Sequence, residues 1–228
     1  MAAQLVLWDI DHTLLDTRGV GRRLFASAFH RATGRVMDRP TRIDGLTERV
    51  IFRETAKRHG LAPSPQDFDT FARALAYEHR LHVAELGERG RALPGAAAVL
   101  GALARLPGIS QTVVTGNIRA TAEIKLAAFG LERHLNLGIG AYGEDHEERV
   151  ELVRTALDRA GCSARDAVLL GDTPADVRAG LGAGVRVLAV ATGRSTLEEL
   201  RAAGADAAVP DLRDTGGIVR TITGGEIP

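Results

Sequence analysis

The stretch that most limits what this chain can become is Leu5-Val6-Leu7-Trp8-Asp9-Ile10-Asp11-His12-Thr13, an apolar run that breaks off in two carboxylates and a hydroxyl. Four apolar residues in succession, without helical spacing, predict a strand buried on both faces, the kind found inside a parallel sheet. Acids do not belong inside such a strand. Asp9 and Asp11 are therefore expected where it emerges, at the carboxyl end, which is the edge where open α/β sheets place their ligands. Taken alone, the junction could also be an acidic turn in which Asp11 caps the backbone, so the rest of the chain has to decide.

Between Leu14 and Arg91 no stretch reads as a strand. Apolar residues there recur at helical spacing, as in Leu24, Ala28 and Phe29, or Phe68, Phe71 and Leu75. From Pro94 the pattern changes. Strands are expected at Gln111–Thr115, Ala167–Gly171, Val185–Ala191 and Ala207–Val209, with a weak one at Leu137–Gly140. Helices near Gly95–Leu106, Ile118–Phe129, Glu147–Ala160, Pro174–Gly182 and Thr196–Ala203 alternate with them. Such alternation implies parallel pairing and predicts a doubly wound, Rossmann-like α/β core. Residues 1–16 and 93–228 form that core in this reading, and residues 17–92 form an inserted α-helical cap domain projecting from the ligand-binding edge.

Length and charge remove other classes. A chain of 228 residues, 45% of them apolar, can bury one substantial core plus a smaller unit. Basic and acidic residues balance at 29 each, so the basic excess that suits nucleic acid or an anionic membrane is missing. No apolar run approaches the roughly 18 residues of a membrane span. Met1-Ala2-Ala3-Gln4 carries no basic segment and Asp9 interrupts the apolar run that follows, so no secretory signal is expected. The single Cys162 fits a reducing, cytoplasmic setting. The tail Gly224–Pro228 is expected to be disordered.

Two more strand ends carry polar groups. In Thr115-Gly116-Asn117 a hydroxyl and a glycine backbone stand just before a helix, where exposed amides and the helix dipole suit a phosphate; Asn117 could instead be an ordinary cap. In Gly171-Asp172-Thr173-Pro174-Ala175-Asp176, Thr173 reads as an N-cap and Pro174 as the first helical residue. Asp176 fits a capping box with Thr173, whereas Asp172 precedes the cap on the strand's exit. Carboxylates gathered at one edge repel one another unless a cation compensates. Mg²⁺ is the natural choice, because it takes hard oxygen ligands and keeps waters that phosphate oxygens can replace. One carboxylate can then attack phosphorus to give an aspartyl-phosphate. A second, in protonated form, gives the leaving oxygen its proton and later takes one from water. Asp9 and Asp11 supply that pair.

These residues resemble the motifs of the haloacid dehalogenase superfamily of phosphohydrolases. Asp9-x-Asp11-x-Thr13 resembles the first motif, Thr115 the second and Gly171-Asp172-x-x-x-Asp176 the fourth, in order along the whole chain. A helical insertion just after the first motif is similar to the subgroup with phosphoglycolate phosphatases and β-phosphoglucomutases. The resemblance implies that Asp9 is nucleophile and metal ligand, and that Asp11 is the acid/base whose main-chain carbonyl also binds Mg²⁺. It further implies metal binding by Asp172, with Asp176 helping directly or through water, and a grip on the phosphoryl group by Thr115, beside the Gly116 and Asn117 already singled out at that helix start. Two departures stand out. His12 occupies a position usually held by glycine, so its loop is tighter or presents an imidazole to the entrance. The basic third motif, usually lysine, has no lysine after Lys125. Lys125 lies about 10 Å along its helix from the site and is expected on a solvated flank. Arg149, near the start of its helix, is the expected replacement, since a guanidinium binds phosphate in bidentate fashion and stays protonated.

Specificity is expected from the insertion. Arg42-Ile43-Asp44-Gly45-Leu46-Thr47-Glu48-Arg49 resembles a phosphoglycolate phosphatase specificity loop: Gly45 permits unusual backbone angles, Thr47 can cap the next helix, and Arg42 or Arg49 could meet a substrate anion. The expected function is a Mg²⁺-dependent phosphatase for a small phosphorylated metabolite, acting as a monomer or homodimer. A sugar-phosphate mutase on the same fold is the nearest alternative, and a non-catalytic ligand-binding protein is the alternative from another class.

Overall fold

A computed structural model of the chain describes residues 4–39 and 45–224. Arg42 and residues 225–228 of the tail lie outside the described residues. The chain begins with β1 (Gln4–Trp8) and β2 (Leu15–Asp16), then runs through α1 (Val20–Thr33), α2 (Glu48–Arg58), α3 (Pro65–Leu81) and α4 (Val83–Arg89). After β3 (Arg91–Ala92) come α5 (Ala96–Ala104), β4 (Ile109–Val113), α6 (Arg119–Ala128), α7 (Arg149–Ala160), β5 (Ala167–Gly171) and α8 (Pro174–Gly182). The chain closes with β6 (Arg186–Val190), α9 (Leu197–Ala202), β7 (Ala207–Val209) and α10 (Thr215–Thr223).

The main sheet has the order β4-β1-β5-β6-β7, and each neighbouring pair is parallel. β1 is an interior strand, between β4 and β5, and is covered on both sides, as its continuous apolar run predicts. Val6 and Trp8 pack into a cluster with residues of α5, α6 and α10. Leu5 and Leu7 face the other way, against Leu152 and Val153 of α7 and Ala179 of α8. The fold is therefore the expected α/β core, with helices on both faces of a parallel sheet. Its register aligns the exits of three strands, since Trp8 stands opposite Val113 on one side and Leu170 on the other. The residues that follow leave the sheet together at one edge.

Three elements differ from expectation. Leu137–Ile139 is a 3-10 turn and not a strand; it has too few residues before Gly140 to span the sheet. β2 and β3 form a two-residue antiparallel ribbon where the chain leaves the sheet and returns to it, a pairing too short to leave a periodic signal. The helix α10 was not expected, because its sequence, Thr-Gly-Gly-Ile-Val-Arg-Thr-Ile-Thr, is poor in helix formers. Tertiary burial of Ile218, Val219 and Ile222 against the core holds it, with Asp214 capping through the Gly217 N–H.

The helices α1–α3 gather around a cluster built on Phe25, Phe29, Phe52, Phe68 and Phe71, while Leu86 of α4 packs on Val20 and Leu24 of α1. Phe52 and Phe71 stack with ring centroids 4.6 Å apart. Below them, in the sheet, one polar chain crosses the apolar interior. The Trp8 indole N–H donates to Gln111 Oε1 at 3.1 Å, and Gln111 Nε2 donates to the Leu100 carbonyl at 2.9 Å. Replacing Gln111 by Leu keeps the volume and leaves the indole donor unpaired, at a cost of about 1–3 kcal/mol. Urea unfolding of Gln111→Leu should show a lower midpoint with an unchanged m-value.

Candidate active site

The aligned strand ends bring four acids to one edge. Asp9 follows β1 directly and its N–H donates to the Leu170 carbonyl of β5 at 2.9 Å, which locks the β1 exit to the β5 exit. Asp172 follows β5, and Asp176 lies in the first turn of α8, where it completes the capping box with Thr173. Single carboxylate oxygens of Asp9, Asp172 and Asp176 lie within 4.8 Å of one another, and all three residues are buried. Thr13 Oγ1 donates to Asp172 at 3.3 Å. Arg149, first residue of α7, donates to Asp9 at 3.1 Å and also pairs with Asp176. One guanidinium against three carboxylates leaves a surplus of two negative charges among hard oxygen donors. That surplus fits a divalent cation of the magnesium type.

Asp11 belongs to a different cluster. Lys125 Nζ reaches its two oxygens at 3.1 and 2.8 Å and the Asn117 side-chain oxygen at 2.6 Å. Asn117 Nδ2 donates to Asp11 at 2.7 Å and to Thr115 Oγ1 at 2.8 Å. Lys125 is 5% exposed, so the expectation of a solvated flank is overturned. Axial distance along α6 had placed its backbone too far from the site. Helical side chains lean toward the N-terminus, and the long lysine stem carries its ammonium back along the helix. The Asn117 side chain, expected among the phosphate-binding groups, is spent on Asp11, Thr115 and Lys125. Thr115 Oγ1 accepts from the Asn117 N–H and side chain, which leaves its hydroxyl proton to donate into the site.

Glu48, at the start of α2, escaped the sequence reading. Its buried carboxylate accepts from the Ile118 N–H at 2.7 Å and from Thr121 Oγ1 at 3.2 Å, next to Lys125. Its N–H donates to the Gly116 carbonyl at 2.7 Å. The loop before α2 is thereby seated on the strand-end loop of β4. A signal existed for Lys125 alone: in a chain rich in arginine, only Lys57 and Lys125 are lysines.

The other expected residues divide. Gly45 has φ +72° and packs so closely on Ala175 that a Cβ would lie 2.4 Å from that residue's own. Thr47 caps α2, accepting from the Val50 N–H at 3.3 Å. Arg49 donates to the Glu144 carbonyl at 3.0 Å with its guanidinium 4.5 Å over the Phe68 ring, so it clamps the helices to the core. Neither Thr47 nor Arg49 lines the cavity. His12 adopts φ +63°, a left-handed conformation that costs a non-glycine residue roughly 1–2 kcal/mol, which accounts for the preference for glycine at such a turn. It is exposed and lines the cavity.

A cavity of about 840 Å³ opens between the sheet edge and the helices, and Asp9, Asp11, Thr115, Lys125, Arg149 and Asp172 contribute to its wall. Burial, then the charge of Asp176, pushes the Asp9 carboxyl up to about 7 against the opposing pull of Arg149. Burial, then the charges of Asp9 and Asp176, raises Asp172 to about 9. Asp11 goes the other way: burial alone would raise it, but Lys125 and Asn117 outweigh burial and hold it below its ordinary value. Burial raises Glu48 to about 7 despite Lys125.

In metal-free protein, Asp9 and Asp172 bind protons more tightly folded than unfolded. Their stabilisation is complete below about pH 4 and is lost as pH rises through about 7 for Asp9 and about 9 for Asp172. Thermal melts without metal should therefore weaken toward about pH 8, and added Mg²⁺, which favours ionised carboxylates, should raise Tm more at about pH 8 than at about pH 5.5.

Comparison with known proteins agrees with this geometry. The model of the haloacid dehalogenase-like hydrolase family matches residues 6–190. A phosphoglycolate phosphatase of Cupriavidus necator is 34% identical over 171 residues, covering 75% of this chain and 70% of the relative. Among solved structures, a hydrolase from Pseudomonas syringae superposes with a TM-score of 0.72 at 19% identity, covering 96% of this chain and 99% of the other. A β-phosphoglucomutase-like chain from Bacteroides vulgatus superposes with a TM-score of 0.69 at 18% identity, covering 98% and 90%. The chain belongs to the haloacid dehalogenase-like hydrolase family.

Proposed function

We propose that this protein is a Mg²⁺-dependent phosphatase that hydrolyses a small phosphate monoester through an aspartyl-phosphate on Asp9. The observation that carries the reading is the separation of two acids by environment. Asp9 lies in the carboxylate trio with Arg149, while Asp11 stands apart in the grip of Lys125 and Asn117. The resemblance to phosphoglycolate phosphatases and the relative of that name favour hydrolysis of a phosphate ester.

Asp9, Asp172 and Asp176 would hold the cation together with the main-chain carbonyl of Asp11. When bound, Mg²⁺ supplies charge neutralisation for the phosphoryl oxygens. The Asp9 carboxylate attacks phosphorus, and the ester oxygen leaves with its electron pair. Lys125 and Asn117, outweighing burial, hold Asp11 ionised before a phosphate enters; the negative charge of an entering phosphate favours its taking up a proton from solvent, which it gives to the leaving oxygen before taking one from the water that hydrolyses the aspartyl-phosphate. Arg149 orients Asp9 and neutralises the transferring group, the part a third-motif lysine would take. The Thr115 hydroxyl donates to a phosphoryl oxygen. Gly45 and the loop it belongs to close the helical cap against Ala175 and exclude bulk water. The unpaired Cys162 suits a reducing compartment such as the cytoplasm.

Phosphate release from a panel of small phosphomonoesters tests the reading. Activity should require Mg²⁺ and vanish with EDTA. Asp9→Asn should abolish it, and Asp11→Asn should lower kcat/KM for an alkyl ester by about 10²–10⁴-fold, the usual worth of a positioned general acid. A phosphosugar isomerised without phosphate release would replace this reading by the mutase, and binding without turnover would replace it by a non-catalytic protein.

A further inference from the structure

Glu48 is buried beside the site, and no step of the proposed reaction uses it. It opens α2, on the inserted helices, yet both groups bound by its side chain belong to the core: the Ile118 N–H at 2.7 Å and Thr121 Oγ1 at 3.2 Å. Ile118 stands at the N-cap of α6, and its apolar side chain provides no cap of its own. In many helices an acid in the first turn reaches back to that N–H. Here the acid comes from another element, so the start of α6 is held from outside.

The face of α6 that Glu48 holds is the face that carries Lys125. Ile118, Thr121 and Lys125 follow one another at helical spacings of three and four, so they form a single stripe. At the end of that stripe the Lys125 ammonium reaches both Asp11 oxygens, at 3.1 and 2.8 Å. Asn117, which immediately precedes Ile118, donates to Asp11 at 2.7 Å and accepts from Lys125 at 2.6 Å. Both side chains that fix the Asp11 carboxylate therefore hang from the segment whose start Glu48 fixes. The Glu48 N–H adds a second tie, to the Gly116 carbonyl at 2.7 Å. One residue of α2 thus grips this segment with its side chain and its main chain together.

We infer that Glu48 is a positioning residue for the acid: through the start of α6 it fixes Lys125 and Asn117, and through them the Asp11 carboxylate, so that proton delivery depends on α2 being seated on the sheet edge. The inference rests on the phosphatase reading and assigns a further part within it. In the first chemical step an Asp9 oxygen bonds to phosphorus and the ester P–O bond breaks. Its electron pair stays on the leaving oxygen, which takes the proton held on Asp11. An alkoxide needs that proton, whereas a nitrophenolate leaves without it. A displaced Asp11 is therefore costly for alkyl esters and harmless for nitrophenyl esters, while general loosening of the helices slows both alike.

The test compares kcat/KM for glycerol phosphate and p-nitrophenyl phosphate, with Mg²⁺, in the full-length wild-type chain and in Glu48→Ala, Glu48→Asp and Glu48→Gln. Glu48→Ala should lower the glycerol phosphate value on the order of 10²-fold, the usual result of misplacing a reacting group by about 1 Å, and leave p-nitrophenyl phosphate little changed. Glu48→Asp, whose shorter carboxylate falls short of the Ile118 N–H, should show the same selective loss to a smaller degree, and it carries the test if the alanine variant fails to fold. Glu48→Gln keeps an acceptor oxygen and should restore glycerol phosphate turnover. In a Lys125→Met background, Glu48→Ala should add little, because the two residues act along one path. Equal losses on both esters, a glutamine variant as impaired as alanine, or additive effects with Lys125→Met overturn the inference and leave the phosphatase reading standing. Wild-type turnover of the nitrophenyl ester alone leaves Asp11 with no proton to deliver and also overturns it. Turnover of neither ester defeats the phosphatase reading itself, and the inference falls with it.

Discussion

Three carboxylates packed within 4.8 Å of one another in a buried pocket are mutually repulsive, and the rest of the site is arranged around relieving that repulsion. Arg149 offsets part of it from the start of α7, using one side chain for both Asp9 and Asp176. The remainder is a standing demand for a cation. Removing solvent makes the demand stronger, since charges interact more in a low dielectric. The raised Asp9 and Asp172 carboxyls express the same demand in protons. A phosphoryl group and its counter-ion enter a site already biased to accept them.

The cluster around Asp11 solves a different problem. In the proposed mechanism the Asp11 carboxylate must stay apart from the Asp9, Asp172 and Asp176 trio and be held in one orientation. Lys125 and Asn117 do both, and Asn117 also ties Thr115 to the same frame. Glu48 brings the helices into this arrangement, because its carboxylate and its N–H both bind groups that follow β4. Seating of the helices over the sheet edge and order within the polar network are therefore parts of one contact. Gly45 adds to it by letting the loop approach Ala175 more closely than any side chain would permit.

Backbone strain at His12 belongs to the same economy of space. The chain must turn immediately after Asp11 so that the His12 N–H can meet the Leu15 carbonyl at 2.7 Å, while Thr192 Oγ1 holds the His12 carbonyl at 2.5 Å. Those two hydrogen bonds fix a left-handed residue where glycine would sit without strain, and they leave the imidazole at the cavity's rim.

The sequence alone determined the parallel core and the edge at which Asp9, Asp11 and Asp172 emerge, because an apolar run must be buried and a charge must leave it; the metal role of Asp176 and the choice of Arg149 came from the resemblance to the hydrolase family. What the sequence could not determine were contacts made by reach across elements. Lys125 was misjudged because rise along a helix measures the backbone and not the tip of a long side chain. Glu48 was missed because nothing near it in the chain forecasts the Ile118 N–H and Thr121 hydroxyl it binds. Only the tertiary structure decided that α10 is helical, since burial against the core outweighs its poor propensity, and that Arg49 and Asn117 are occupied within the protein. Propensity and spacing are properties of neighbours in sequence, whereas the partners of a buried polar group are chosen by packing.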